Sequence, residues 1–185
     1  RRIGMVFQEY NLVERLPAIT NVLTGRLAYN SGLRSLLFYF NQEHRRIALR
    51  NLERVGLLHR AKFRADRLSG GEKQRVAIAR AISQEPKIIL ADEPVASLDP
   101  ELSVQVMRDL ARVAREDGVL TLINIHQVEL AKEFADRLIG IAEGKVVYDG
   151  SPVGLSDAIL DRIYRFDQRE ADSRVATKRA EVPEY

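Results

Sequence analysis

The chain has 185 residues, with 29 Lys or Arg against 26 Asp or Glu and a formal net charge of +3. It contains no cysteine, which excludes a disulfide framework and thiolate chemistry. It has no run of about 18 apolar residues and no secretory signal. No dense basic run is interleaved with aromatic residues, so we predict no nucleic-acid binding. The length suits one domain with an insertion.

The chain opens on a short apolar segment from Ile3 to Phe7, which predicts a strand and is followed by Gln8. A helical pattern then extends from Asn11 to about Gln84. Within that pattern we predict one helix over Pro17–Arg26 and another over Gln42–Val55, which Gly56 ends.

Two features lie between and within these helices. Tyr29–Gly32 predicts a turn, and the unusually apolar Leu33–Phe40 that follows is either a core helix or a docking surface. His44 and His59 both lie in polar, Arg-rich helical sequence, so we expect both at the surface.

The stretch Leu68–Arg75 predicts a capped helix start. Ser69 and Glu72 have the spacing of a capping box, in which each residue satisfies a backbone N–H of the other. Gly70 and Gly71 have no Cβ and let a bulky anion approach the backbone. The free N–H groups and positive dipole of a helix start favour such an anion. An ordinary capped helix is the alternative that Ser-x-x-Glu alone would favour.

The apolar run Ile88–Ala91 predicts a strand buried on both faces of a parallel sheet. Asp92 and Glu93 follow it directly, at the carboxyl edge where ligands bind in open α/β folds. Two adjacent carboxylates there repel each other unless a cation or separate roles divide them. The alternative is a solvated acidic pair at a strand end.

Another helix and strand follow this acidic pair. Asp99 as N-cap and Pro100 at the first helical position predict a helix that ends at Asp117–Gly118. The near-continuous apolar run Val119–Ile125 predicts the next strand, and His126 follows it. A histidine in this place is either structural or catalytic.

The rest of the chain predicts a helix, a hairpin, a last helix and a charged tail. The hairpin turns at Glu143-Gly144, where an acidic residue precedes glycine. We predict the helix over residues 128–135 and the two strands of the hairpin over 138–141 and 145–148. The last helix follows Pro152 and extends to about Phe166. The charged tail covers residues 167–185 and is expected to be mobile at its end.

The order and spacing of Leu68–Ala81, Ile88–Pro94, Ser97–Pro100 and His126 resemble the ATPase subunit of an ABC transporter. The resemblance implies an α/β fold with a P-loop NTPase-type parallel sheet core, incomplete here, and an ABC α-helical subdomain. The implied divisions are the end of an N-terminal lobe with the glutamine loop at 1–10, the helical subdomain at 11–84, the catalytic α/β core at 85–155, and a C-terminal helix and tail at 156–185.

The same resemblance implies ATP and Mg²⁺ as cofactors and a role for each motif residue. Asp92 would hold Mg²⁺ through its water shell, and Glu93 would polarise the attacking water. Gln8 would reach the metal and the water, and His126 would contact the γ-phosphate. A second subunit of a head-to-tail homodimer would complete each site with Ser69, Gly70, Gly71 and Gln74, and Asp99 would lie in the loop between the subunits.

The resemblance also implies further partners. ATP binding and hydrolysis would rock transmembrane permease subunits. In such ATPases the helical insertion carries the groove in which the permease docks, which is why Leu33–Phe40 could be a docking surface. A periplasmic or extracellular solute-binding protein would be an indirect partner. The subunit would be peripheral, on the cytoplasmic face of a prokaryotic plasma membrane.

One motif of such ATPases is missing from this sequence. No Gly-x-x-x-x-Gly-Lys-[Ser/Thr] occurs, so the loop that wraps the α- and β-phosphates is absent. In the family it precedes the glutamine loop, so we expect the chain to be truncated at its N-terminus. By itself it should bind ATP weakly or not at all and hydrolyse none. A non-catalytic truncated remnant is the corresponding alternative.

Several segments resemble phosphonate importer ATPases in particular. They are Asn11–Leu16, Asn21–Leu27, Arg34–Leu37, Ala91–Pro100 and Ile125–Val128. The resemblance implies the ATP-hydrolysing subunit of an importer for phosphonates or related phosphorus oxyanions. A non-transport ABC ATPase of the DNA-repair or translation kind is the alternative.

Overall fold

The computed structural model describes residues 2–29 and 40–164. The chain divides into two compact units, Arg1–Gln127 and Val128–Tyr185. The predicted turn after Tyr29, the apolar stretch up to residue 39 and the charged tail lie outside the described residues. Within the two described ranges, no helix is both long enough and apolar enough to cross a membrane. The four-part division expected from the sequence stays a prediction.

A parallel three-stranded sheet forms the centre of the first unit. Its strands are β1 (Ile3–Val6), β2 (Ile88–Asp92) and β3 (Leu120–Asn124), in the spatial order β1-β2-β3. Asp92 pairs with Asn124 across β2 and β3. Because all three strands run in one direction, their carboxyl ends share one edge. This sheet and its helices confirm the predicted α/β fold.

Four α-helices complete the described part of this unit. They are α1 (Ala18–Thr24), α2 (Gln42–Arg54), α3 (Gly70–Ile82) and α4 (Pro100–Asp117). The helix α3 contacts the other three helices and β1, which makes it the centre of the packing. Its buried apolar residues are Val76, Ala77, Ile78, Ala79, Ala81 and Ile82. Full burial of a side chain the size of Ile78 contributes about 1.5–3 kcal/mol.

The ends of α2 and α4 follow the local sequence. The Asn41 side chain accepts a hydrogen bond from the His44 backbone N–H at 2.8 Å and caps α2. The Asp99 side chain caps α4 by accepting from the Leu102 N–H at 3.0 Å. The helix α4 ends where Gly118 turns to φ 60°, a left-handed conformation that favours glycine. The predicted cap and stop of this helix are confirmed.

The prediction that the Ile88–Ala91 strand is buried on both faces is right for one face only. Ile89 and Ala91 of β2 are 0% and 3% exposed, whereas Ile88 and Leu90 on its other face are half-buried. On the neighbouring strand β3, Leu120 and Leu122 are 66% and 59% exposed. The side chains of a strand alternate between the two faces, and only one face of this sheet has dense packing. A continuous apolar run shows that neither face is polar, but it does not show which neighbours cover each face.

His44 also differs from its expected surface position, whereas His59 is exposed as predicted. His44 is 6% exposed, and its ring meets the edge of the Phe40 ring at a centroid distance of 6.3 Å. Burial lowers the pKa of His44, and the nearby positive charge of Arg26 lowers it further. A polar, Arg-rich helix still has one inward side, and His44 lies on it.

The second unit contains a helix and an antiparallel hairpin. The helix α5 covers Val128–Phe134, and β4 (Leu138–Ala142) pairs with β5 (Lys145–Gly150). Glu143 and Gly144 at the turn have φ values of 51° and 69°. Two consecutive positive φ angles are typical of the tight turns that join twisted strands. The predicted hairpin is therefore confirmed, and residues 157–164 form a further helix.

The contact of α1 with α3 leads to a stability prediction at Gly25. A Cβ at this residue would lie 2.4 Å from the Arg80 carbonyl oxygen, although the Gly25 φ of −60° suits any residue. We expect Gly25→Ala to lower the free energy of unfolding by about 1–3 kcal/mol, the usual cost of overpacking. Urea unfolding followed by circular dichroism measures the change.

Gly118→Ala is the matched control for this prediction. A Cβ there meets nothing within 4 Å, so its cost of about 1–2 kcal/mol would come from the left-handed backbone alone. Full stability of the Gly25→Ala protein would contradict the close approach of α1 to the α3 backbone.

Candidate functional site

The carboxyl edge of the parallel sheet brings three predicted site residues together. Asp92 ends β2, Glu93 follows it, and His126 comes two residues after β3. Gln8 follows β1 at the same edge, and its side chain is exposed. The structure therefore places polar side chains from all three strand ends on the edge where ligands bind in this type of sheet.

Glu93 and His126 contact each other directly. The His126 Nε2 atom lies 2.9 Å from the Glu93 Oε1 atom, and the side chains are 65% and 26% exposed. Glu93 has a φ of 43°, in the left-handed region that non-glycine residues rarely adopt. An accessible carboxylate beside an imidazole can accept a proton from a water molecule, while the imidazole can donate to an oxygen of a ligand.

Asn124 belongs to this site, although the sequence alone predicts only that it is part of a strand. Its Nδ2 atom donates to Asp92 Oδ1 at 2.9 Å, and its carbonyl oxygen accepts from the Glu93 N–H at 3.0 Å. The signal was a polar residue near the end of an apolar strand, two residues before His126. That signal does not show which partner the amide meets.

The acidic residues at this edge suit a Mg²⁺ ion that arrives with a phosphate group. In the part of the chain that the structure describes, no cluster of three or more His, Cys, Asp or Glu residues could hold a metal. Mg²⁺ usually binds one or two carboxylates and completes its shell with substrate phosphates and water. Asp92 matches the carboxylate of that donor set, whereas a self-contained protein metal site would need more ligands.

The start of α3 has the predicted capping box. Ser69 Oγ accepts from the Glu72 N–H at 3.3 Å, and the Glu72 carboxylate accepts from the Ser69 N–H at 2.9 Å. Arg60 also reaches Glu72 at 3.1 Å. The box holds the exposed Ser69 at the positive end of the helix dipole, where an anion is favoured.

Gly70 and Gly71 pack closely against side chains from other parts of the chain. A Cβ at Gly70 would lie 3.0 Å from the Tyr10 hydroxyl and 3.2 Å from Leu98, and one at Gly71 would lie 3.2 Å from Leu102. The two glycines thus let the start of α3 approach both the segment after Gln8 and the start of α4. The sequence alone predicts only that these glycines let an anion approach, and does not indicate these contacts.

Gln74 is buried within the unit, which differs from its expected contact with a nucleotide bound by a second subunit. Its side chain is 0% exposed and donates to the Phe7 carbonyl oxygen at 3.4 Å, beside Gln8. Within the described residues its Oε1 atom has no hydrogen-bond partner. A side chain buried in its own subunit is turned away from a nucleotide held across an interface. We therefore leave Gln74 out of the proposed nucleotide contacts.

Arg80 makes a second contact between α3 and the segment after Gln8. Its guanidinium donates to the Tyr10 carbonyl at 2.9 Å and also to the Asn11 carbonyl. Burial lowers the pKa of Arg80. Tyr10 and Asn11 have φ values of 55° and 48°, so Arg80 satisfies the carbonyls of a left-handed turn. Through Gln74 and Arg80, α3 fixes the backbone on both sides of Gln8.

Comparisons with known proteins identify the family. Residues 1–96 match the model of the ABC transporter family. The chain belongs to this family. It is 54% identical over 172 residues to the phosphonates import ATP-binding protein PhnC of Thiobacillus denitrificans, an alignment that covers 93% of the chain and 66% of that protein. It is also 52% identical over 164 residues to the phosphite import ATP-binding protein PxtA of Stutzerimonas stutzeri. That alignment covers 89% of the chain and 59% of PxtA.

A solved structure supports the same assignment. The ATP-binding cassette MJ0796, in a dimeric post-hydrolysis state bound to ADP and phosphate, is 34% identical with a TM-score of 0.64. The match covers 83% of this chain and 64% of that one. The chain thus spans about two thirds of the length of the proteins that it matches.

The capping box leads to a pH-dependent stability prediction. Burial acts to raise the pKa of Glu72, but its hydrogen bonds with Ser69 and the charge of Arg60 outweigh burial and hold that pKa below its ordinary 4.5. Because the pKa of Glu72 is lower in the folded protein than in the unfolded chain, its carboxylate stabilises the fold at any pH above the unfolded-state pKa. This stabilisation is lost as the pH falls through the folded-state pKa. We expect Glu72→Gln to destabilise the protein at pH 7.

The pH series supplies the control for this prediction. The difference in free energy of unfolding between Glu72→Gln and the parent should shrink as the pH falls below 4.5, because the parent carboxylate then also becomes neutral. Urea unfolding at each pH measures both proteins. A difference that stays constant from pH 7 to acid would contradict a role for the Glu72 charge.

Proposed function

We propose that this chain forms part of the ATP-hydrolysing subunit of an ABC importer that takes up phosphonates or related phosphorus oxyanions. The observation that supports ATP hydrolysis is the 2.9 Å contact of Glu93 with His126, beside Asp92 at the carboxyl edge of the sheet. Phosphoryl transfer mainly requires positioning of the nucleophile and stabilisation of charge, and this edge offers groups for both.

Each residue at the edge has a chemical part in this proposal. Asp92, with the phosphates of ATP, would hold Mg²⁺, which neutralises charge on the phosphate oxygens when bound. The Glu93 carboxylate orients the attacking water and accepts a proton from it. His126 donates from Nε2 to Glu93 and, when both ring nitrogens carry a proton, also donates from Nδ1 to the terminal phosphate. Gln8 orients the water from the neighbouring strand end.

A second copy of the chain completes each site in this proposal. Ser69, Gly70 and Gly71 of the partner subunit would face the terminal phosphate, because the N-terminal end of α3 favours anions. The exposure of Ser69 and the capping box at that helix end support this arrangement. Asp99 is exposed at the start of α4 and would lie in the loop between the subunits.

Transport would come from coupling of this dimer to other proteins. ATP would close the dimer and hydrolysis would open it, which would move transmembrane permease subunits docked on the segment between α1 and α3. A solute-binding protein would deliver the solute from outside, and the subunit would lie on the cytoplasmic face of the membrane. Import of phosphorus oxyanions is supported by the names of the two relatives, since no residue here would touch the solute.

Glu93→Gln tests the proposed hydrolysis. In the full-length gene product, we expect this variant to keep MgATP binding and nucleotide-dependent dimerisation. ATP turnover should fall about 10²–10⁴-fold, because the amide cannot accept the proton of the attacking water. Phosphate release measures turnover, and light scattering measures the dimer. Undiminished hydrolysis would contradict the role given to Glu93.

The 185-residue chain alone provides a second test. It lacks the Gly-x-x-x-x-Gly-Lys-[Ser/Thr] sequence whose backbone N–H groups and lysine hold the nucleotide phosphates. We expect no measurable hydrolysis and, in calorimetry, an ATP affinity at least about 100-fold below that of the full-length product, a loss of about 2.7 kcal/mol. Equal affinity of the two proteins would show that the described site binds ATP without that loop.

A further inference from the structure

Asn124 is hydrogen-bonded to both acidic residues of the candidate site. Its side-chain Nδ2 atom donates to Asp92 Oδ1 at 2.9 Å. Its backbone carbonyl accepts from the Glu93 N–H at 3.0 Å. The parallel register places Asn124 directly opposite Asp92, so both contacts follow from the pairing of β2 with β3.

The chemistry of an amide suits this position. A carboxylate only accepts hydrogen bonds, so the nitrogen of the Asn124 amide must face Asp92. The N–H group has no lone pair for a cation and adds no charge. It therefore fixes one oxygen of the exposed Asp92 side chain and leaves the other oxygen for a ligand. An aspartate at this position would repel Asp92, and an aliphatic residue would leave it free to rotate.

The backbone contact acts on Glu93. This residue has a φ of 43°, and a left-handed conformation costs a non-glycine residue about 1–2 kcal/mol unless the surroundings hold it. The Glu93 N–H is held by Asn124 on one side, and the Glu93 carbonyl accepts from the Ala96 N–H at 3.2 Å on the other. In this conformation the Glu93 carboxylate meets His126.

We propose that Asn124 is a positioning residue, whose side chain orients Asp92 toward the Mg²⁺ ion of bound MgATP. The proposal rests on the proposed ATPase function. Asn124 itself contacts neither nucleotide nor metal; it restricts the carboxylate that does. Residues that orient a metal ligand in this way usually change metal affinity about 10–100-fold when they are replaced.

The test uses Asn124→Leu in the full-length protein, because leucine has a similar volume and keeps the backbone carbonyl that holds Glu93. Asn124→Ala is made in parallel, and thermal unfolding selects a variant that folds. Both changes are placed in the Glu93→Gln background, so that ATP stays intact. Electron paramagnetic resonance then measures Mn²⁺ affinity in the presence of ATP, with Mn²⁺ as the probe for the Mg²⁺ site.

We expect Mn²⁺ affinity to fall about tenfold, while ATP affinity in the presence of a chelator stays unchanged. With Glu93 intact, the Mg²⁺ concentration for half-maximal hydrolysis should rise by a similar factor, and the KM for ATP at saturating Mg²⁺ should not. The control is Thr121→Val on the same strand, which loses the hydrogen bond of Thr121 to the Val119 carbonyl far from the carboxylates. Its Mn²⁺ affinity should match the parent.

Mn²⁺ affinity within about twofold of the parent in the Asn124 variants would overturn the proposal, whatever their melting temperature. That result would leave Asn124 with a structural part in the sheet only. Failure of the proposed function would look different, because the parent protein would then hydrolyse no ATP or Glu93→Gln would still hydrolyse it.

Discussion

The pairing of β2 with β3 is the constraint on which the candidate site depends. Asp92 lies opposite Asn124 because the two strands are parallel and in this register. The side chain of Asn124 then meets Asp92, its carbonyl meets the Glu93 N–H, and the next turn of chain brings His126 to Glu93. A slip of one residue would turn Asn124 to the other face of the sheet and break the side-chain contact.

The helix α3 is the second element that organises the site. Its N-terminal end holds the capping box of Ser69 and Glu72, and its body holds Gln74 and Arg80 against the backbone on both sides of Gln8. One rigid helix therefore links the candidate anion site at its tip with the segment that carries Gln8. Any shift of α3 would therefore move the anion-favouring helix end and the segment that carries Gln8 together.

Local patterns predicted what depends on neighbouring residues. Ser69 with Glu72, Asp99 with Pro100, and Gly118 form the expected helix ends, because caps and stops involve groups within a few residues. The same patterns did not predict the surroundings of His44 and Gln74. The sequence of each helix does not show which of its faces packs against the rest of the unit. The contacts of His44 with Phe40 and of Gln74 with Phe7 decide which face is inward.

By itself the sequence determined the strands, the starts of α3 and α4, the acidic pair at Asp92 and Glu93 and the resemblance that led to the ABC family. Only the tertiary structure decided that one face of the sheet is buried, that Gln74 points inward and that Asn124 joins the two carboxylates. The reason is the range of the interactions. Caps act over three or four residues, whereas the Asp92–Asn124 hydrogen bond spans 32 residues and the Arg80–Tyr10 hydrogen bond spans 70, so packing of the whole unit sets them.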